Sequence, residues 1–272
     1  MSLLSSDTEL AEAMVAAAIA AGAAILAARA RGLTVESKAD TSPVTEADRA
    51  AEAVILRHLA EAAPGIPVVA EEACAVGRPP SVGAAFFLVD ALDGTREFVR
   101  GGDDFTVNIA LVRNETPAIG VVLAPVTGEI YVGVAGSGAW RGVVRDGVVV
   151  HRRAVTVRSP GDRIDVVASR SHRTPETDAY IARYRVGANV AAGSSLKFCT
   201  VADGRADLYP RMGTTMQWDT AAGDAVLRAA GGRTLTLDNR PLRYGPTALA
   251  GADSYRNPWF VAVGKLQPIL GG

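Results

Sequence analysis

Between Ala84 and Val150 the chain repeats one pattern, a short apolar run followed by a turn. "AAFFLV" ends at Asp90, "FTVNIALV" and "PAIGVVLAP" follow, and "GEIYVGVAG" and "GAWRGVVRDGVVV" close the series. Runs of this length, rich in β-branched and aromatic residues and bounded by turn residues, read as strands. Asp146-Gly147 inside the last run is a hairpin turn. A mostly antiparallel sheet is therefore expected here, with "IPVVA", ending at Glu71-Glu72, as a further strand. Few helical or disordered alternatives survive so many closely spaced breaks.

Two helices precede that sheet. "AMVAAAIAAGAAILAARA" is apolar, but its uncharged stretch between Glu12 and Arg29 is shorter than the roughly 18 residues a membrane span requires. Asp7, Glu9 and Glu12 come before it, whereas a signal peptide carries a basic leader. A packed N-terminal helix in a cytoplasmic protein is expected, with room for a peripheral contact at the inner membrane face but no transmembrane segment. Pro43 and Thr45 then introduce "EADRAAEAVILRHLAEAAPG", a helix stopped at Pro64-Gly65.

After about residue 153 helices and strands alternate. "RIDVVASRS", "ADLYPR" and "RTLTL" read as strands; "TPETDAYIARY", "SSLKFCTVADG" and "WDTAAGDAVLRAAGG" read as helices with Pro or Gly at their ends. The expected class is α/β. It combines an N-terminal α+β half over 1–153, bearing the antiparallel sheet, with a C-terminal α/β half over 154–272. With no repeat or low-complexity linker between them, both halves should share one catalytic body.

Composition narrows the chemistry. In 272 residues, 49% are hydrophobic and 21% charged, with a net charge of −1, which excludes a disordered chain and a bulk electrostatic grip on nucleic acid. Cys74 and Cys199 form no CxxC motif, and His58, His151 and His172 lack zinc-ligand spacing. Reduced, buried thiols are expected. A hard-metal site made of carboxylates remains open.

Five acids stand at the ends of elements: Asp48, Glu71, Asp90, Asp93 and Asp219. Each alone has an ordinary reading. Asp48 with Thr45 fits a capping box, Glu71 fits a solvated loop charge, and Asp93 and Asp219 fit helix caps. Two carboxylates three residues apart where a buried strand stops are costly, however, unless a cation compensates them. Asp90 and Asp93 across one turn, with the Leu92 carbonyl between them, offer oxygen ligands suited to Mg²⁺. Gly94 and Thr95 then begin a helix whose free N–H groups suit phosphate.

"PVTEAD", "AEE", "VDALDGT" and "WDTAAG", in that order, resemble the metal-dependent, lithium-sensitive phosphatases of the inositol monophosphatase superfamily. "LDGTREF", "FTVNIAL", "SRSHRTPETDAYI", "GSSLKFC" and "QWDTAAGDAVL" look most like its bacterial 3′(2′),5′-bisphosphate nucleotidase branch. The resemblance implies a layered αβαβα sandwich and removal of the 3′-phosphate of adenosine 3′,5′-bisphosphate, or its phosphosulfate relative, to leave a nucleotide and phosphate. It also implies a first Mg²⁺ on Glu71, Asp90 and the Leu92 carbonyl, and a second on Asp90, Asp93 and Asp219. A third, weaker ion would sit near Glu71 and Asp48. Catalysis would fall to Asp48, Thr95 and Glu71, with Thr95, paired with Asp48, taking the proton of the attacking water. Substrate contacts would come from Glu71, Leu92, Asp93, Gly94, Thr95, His172, Ser194, Lys197, Arg211 and Asp219. The partner is a small nucleotide or sugar phosphate, with no nucleic-acid polymer.

Two positions depart from the family pattern. Ala91 replaces the usual proline, and Gln217 replaces a common glutamate, removing a charge near Asp219. The competing readings are an inositol or other sugar-phosphate phosphatase, sharing the metal motif, and an idle metal- or nucleotide-binding protein.

Overall fold

A computed structural model describes residues 6–32, 35–37, 43–77, 79–168 and 173–270. The chain opens with α1 (Asp7–Arg31), a short hairpin of β1 (Val35–Ser37) and β2 (Pro43–Thr45), and α2 (Glu46–Ala62). Both helices start at capping boxes, Ser6 with Glu9 and Thr45 with Asp48. α1 is long and apolar enough, by length and composition alone, to cross a membrane, more so than its interrupted charge pattern implies. Its stripe of Met14, Ala18, Ala21, Ile25 and Ala28 is nevertheless fully buried in the core shared with α2 and the sheet.

β3 (Val68–Ala70) and α3 (Glu71–Ala75) lead into β4 (Ala85–Asp93) and α4 (Thr95–Val99). A meander follows: β5 (Thr106–Arg113), β6 (Thr116–Leu123), β7 (Glu129–Val134), β8 (Gly138–Arg145) and β9 (Val148–Val155). These strands form a seven-stranded sheet in sequence order from β3 to β9, antiparallel throughout except where β3 runs parallel to β4. Asp146 and Gly147 both take positive φ (50° and 77°), the conformation the hairpin between β8 and β9 demands.

The second half contributes β10 (Ile164–Ala168), α5 (Pro175–Ile181), β11 (Val186–Ala191), α6 (Leu196–Ala202) and β12 (Leu208–Arg211). A 3₁₀ turn at Gln217–Asp219, α7 (Ala221–Ala229), β13 (Arg233–Thr236) and β14 (Phe260–Val263) complete it. Its five-stranded sheet is ordered β11-β10-β12-β14-β13 and is mixed. Sequence reading passes over β11 and β14. The first is an exposed edge strand containing Gly187 and Asn189, and the second is only four residues long.

Alternation along β4 shows how the layers stack. Phe87 and Val89 enter the core beneath α1 and α2, while Phe86 and Leu88 enter the core shared with Phe198, Val226 and Phe260 of α6, α7 and β14. The large sheet is thus covered on both faces, which explains why β4 is one continuous apolar run. A third core, including Val166, Leu208 and Val261, packs Tyr180 and Ile181 of α5 on the far side of the small sheet. The order is helix, sheet, helix, sheet, helix: the expected αβαβα sandwich.

Candidate active site

The end of β4 is bent by its own register. Asp90 pairs with Asn108 and Asp93 with Thr106, so three steps on one strand face two on the other. A bulge of this kind re-aims side chains and frees backbone groups. Asp90 is buried, and its Oδ1 accepts the Leu92 N–H at 2.9 Å. Gly94 follows with φ of 103°, and a Cβ there would lie 2.8 Å from Ser194 Oγ and 3.0 Å from the Asp104 carbonyl. Only glycine fits this turn. α4 is just five residues long, with no side-chain cap at Gly94.

Glu71 comes from the first position of α3 and Asp219 from the 3₁₀ turn, where its Oδ2 accepts the Met216 N–H at 2.8 Å. Asp219 therefore caps its own turn and not α7. One carboxylate oxygen from each of Glu71, Asp90 and Asp219 lies within 4.8 Å of the other two. Burial, with Glu71, Asp93 and Asp219 alongside, holds the Asp90 carboxyl well above the carboxylate range. Burial, then Asp93 and Glu71, does the same to Asp219. Oxygen donors packed this closely, without a cation among them, fit a hard divalent metal.

Asp93 stands slightly apart. Its carboxyl is raised by burial, but Lys197, Asn108, Arg211 and the Ser195 backbone N–H all pull it back. It faces the acid group on one side and these donors on the other.

Asp48 serves two functions at once. Its Oδ2 accepts from the Thr45 backbone N–H (2.8 Å) and Thr45 hydroxyl (2.7 Å), completing the capping box. Its Oδ1 lies 3.0 Å from Thr95 Oγ1, whose proton has the Leu92 carbonyl (3.1 Å) as its other acceptor.

Glu71, Asp90, Leu92, Asp93, Gly94, Thr95, Ser194, Lys197, Arg211 and Asp219 all line one cavity of about 550 Å³. Asp48 lies behind Thr95, and His172 falls outside the described residues. The Ser194 hydroxyl, one of the expected substrate contacts, donates toward the carbonyls of Asp93 (2.8 Å) and Asp104 (3.2 Å), pinning the two halves together. Lys197 is 6% exposed, and among the described residues its ammonium makes no hydrogen bond or ion pair. It sits 5.7 Å from the centre of the Tyr209 ring. Burial lowers its pKa to about 8 against the opposing pull of Asp93. Arg211 Nε is likewise buried without a partner, while its NH2 group donates to the Thr214 carbonyl at 2.8 Å. Arg96, Glu97 and Asp104 also reach the cavity, a placement that sequence spacing alone does not signal.

The sequence profile described as the inositol monophosphatase family matches residues 6–262. The chain belongs to this family. Among its members, the chain is 43% identical over 228 residues to the 3′(2′),5′-bisphosphate nucleotidase CysQ of Shigella flexneri, covering 84% of this chain and 88% of that one. It is 42% identical over 228 residues to the CysQ of Escherichia coli K12, with the same coverage. The crystal structure of CysQ from Bacteroides thetaiotaomicron superposes with a TM-score of 0.78 at 39% identity, covering 94% of this chain and 97% of that one. Inositol monophosphatase from Anabaena superposes at 0.70 with 26% identity, covering 94% and 91%. Family membership makes this chain a metal-dependent phosphatase by descent, and the acid cluster supplies the donors such a phosphatase needs.

Proposed function

We propose that the chain is a Mg²⁺-dependent 3′(2′),5′-bisphosphate nucleotidase acting in the cytoplasm, hydrolysing adenosine 3′,5′-bisphosphate to a monophosphate and inorganic phosphate. Residues 1–153 would supply most acids, and residues 154–272 Asp219 and the substrate grip. One observation carries the choice of substrate. Lys197, a buried ammonium that makes no hydrogen bond or ion pair among the described residues, opens on the same cavity as the acid cluster, with Arg211 beside it. A single phosphate held at the acids would leave that ammonium without a hydrogen-bond acceptor; a second phosphate on the same molecule would supply one.

Glu71, Asp90, Asp219 and the Leu92 carbonyl would hold the cations, with Asp93 on the flank toward Lys197. Two ions is our reading, because both Asp48 oxygens are already engaged. When bound, such ions neutralise the phosphoryl oxygens and make water at the site more acidic. Thr95 Oγ1 would accept the proton of the attacking water while releasing its own to Asp48 Oδ1. Asp48 stays in place through its two bonds to Thr45. Ser194 would hold the α6 end in register, and the nearby Lys197 and Arg211 would bind the phosphate that is not cleaved. No residue needs to be phosphorylated.

The deciding experiment is phosphate release with Mg²⁺ from adenosine 3′,5′-bisphosphate, inositol 1-phosphate and fructose 1,6-bisphosphate. The nucleotide should be preferred by kcat/KM at least about tenfold, the value of one charge-assisted hydrogen bond. Preference for inositol 1-phosphate would make this an inositol monophosphatase. No release from any substrate would leave an idle binding protein.

A further inference from the structure

Glu52 has no part in the chemistry above, yet it is a carboxylate only 7% exposed on the inner side of α2. Its Oε2 accepts the Glu72 backbone N–H at 2.9 Å. That N–H is one of the donors a helix start leaves without an intrahelical partner, and Ala70, at the cap of α3, brings no side-chain acceptor. Asp48 precedes Glu52 by four residues on α2, so both project from one helical face. The Asp48 carboxylate holds Thr95, and the Glu52 carboxylate holds the turn that begins with Glu71.

We propose that Glu52 is a positioning residue: by capping α3 from another element it fixes the backbone at Glu71, and so sets the cation affinity of the acid cluster. This rests on the reading of Glu71 as a cation ligand. α3 has five residues, too few to hold a helical turn by its own hydrogen bonds. Glu71 is its first residue, so the direction of that side chain follows the geometry of this turn. Without the acceptor, the Glu72 N–H must seek another partner and the turn relaxes. Glu71 then loses alignment with Asp90 and Asp219 although no ligand has been removed. Residues that orient metal ligands from behind are worth about 10- to 100-fold in metal affinity.

The test uses Mn²⁺ alone as probe, titrated calorimetrically into the full chain, with circular dichroism melts of the metal-free proteins alongside. Glu52→Ala should bind Mn²⁺ about tenfold more weakly or worse. Glu52→Gln, which keeps a carbonyl oxygen for the Glu72 N–H, should stay within about threefold of wild type, since the acceptor survives. A cap that matters only for folding would lower the melting temperature of Glu52→Ala while leaving Mn²⁺ affinity unchanged below the melt, and that result overturns the proposal. Equal losses in the Gln and Ala variants also overturn it, because charge and not capping would then be at work. Should Glu52→Ala fail to fold, Glu52→Asp decides, since its shorter side chain cannot reach the N–H. Wild-type Mn²⁺ affinity in the Asp variant refutes the cap. Glu71→Gln is the control. If it binds Mn²⁺ like wild type, the ligand reading fails and takes this inference with it; if it loses binding while Glu52→Ala does not, the inference alone fails.

Discussion

Thr95 Oγ1 and Asp48 Oδ1 lie 3.0 Å apart although 47 residues separate them in the chain. The contact joins the first turn of α2 to the first residue of α4, and in the proposed mechanism it would let a helix cap serve as a proton acceptor. Thr95 Oγ1 can donate a hydrogen bond to Asp48 or to the Leu92 carbonyl, but of the two only the carboxylate could take its proton.

Thr95→Ala should therefore lower kcat by about 100-fold or more, the usual worth of a positioned proton acceptor, with little change in KM. Thr95→Ser should recover most of the loss. Asp48→Asn should lose comparable activity and in addition about 1 kcal/mol of stability, because it weakens the Thr45 capping box. Steady-state kinetics with thermal melts separates the two effects.

Asp90 and Asp219 bind protons more tightly in the metal-free folded protein than in the unfolded chain, where Asp titrates near about 3.9. Above that value the native state holds more protons, so stability falls as pH rises until the raised pKa values are passed. Melting temperature in EDTA should accordingly drop from about pH 5 toward neutrality, and Mg²⁺ should restore it. Mg²⁺ added in weak buffer, at a pH below the raised Asp90 and Asp219 pKa values, should release protons. A flat melting profile in EDTA would count against the buried-acid description.

Asp90→Asn should nearly abolish turnover. Above the raised Asp90 pKa, the metal-free variant should nonetheless melt higher than metal-free wild type, since there it removes a buried charge beside two others. With Mg²⁺ present the order should reverse. Differential scanning calorimetry in EDTA and in Mg²⁺ reads both.

Lys197→Ala should lower kcat/KM for adenosine 3′,5′-bisphosphate by about 10- to 150-fold, from roughly 1.5–3 kcal/mol per charge-assisted bond. Adenosine 3′-monophosphate should be nearly unaffected. The free ammonium loses its proton around pH 8, so the bisphosphate reaction alone should show an additional decline in kcat/KM above that pH. Equal losses on both substrates would reassign Lys197 to the catalytic centre or the fold.

Gln217 illustrates a residue whose meaning changes on folding. Its absence of charge beside Asp219 points, in sequence, to altered metal affinity or substrate preference. In the structure it is buried, and its amide pairs both ways with Gly245, donating to the carbonyl at 2.8 Å and accepting the N–H at 2.7 Å. A carboxylate can make only the second bond. Gln217→Glu should cost about 1–3 kcal/mol of stability while Mn²⁺ affinity stays near wild type, which denaturant melts and calorimetry would show.

The elements were legible because their signals are local. The apolar run of β4, the capping box at Thr45, and the Asp146-Gly147 turn each depend on residues within a few positions of one another. The acid motif was legible for the same reason, since Asp90, Leu92 and Asp93 share one strand end. Other features became visible only in the folded chain. They include the Glu52 carboxylate accepting the Glu72 N–H beneath α3, the Ser194 hydroxyl donating toward two carbonyls, and the enclosure of Lys197, expected to contact substrate, between Tyr209 and the cavity wall. β11 escapes sequence reading as an exposed edge strand carrying Gly187 and Asn189, and β14 as a run of only four residues. Local pattern determines which backbone conformation a segment prefers, because sterics and capping act over a turn or two. Which polar group meets which, and which is left without a partner, depends on how whole layers stack, and that is decided by contacts between residues far apart in the chain.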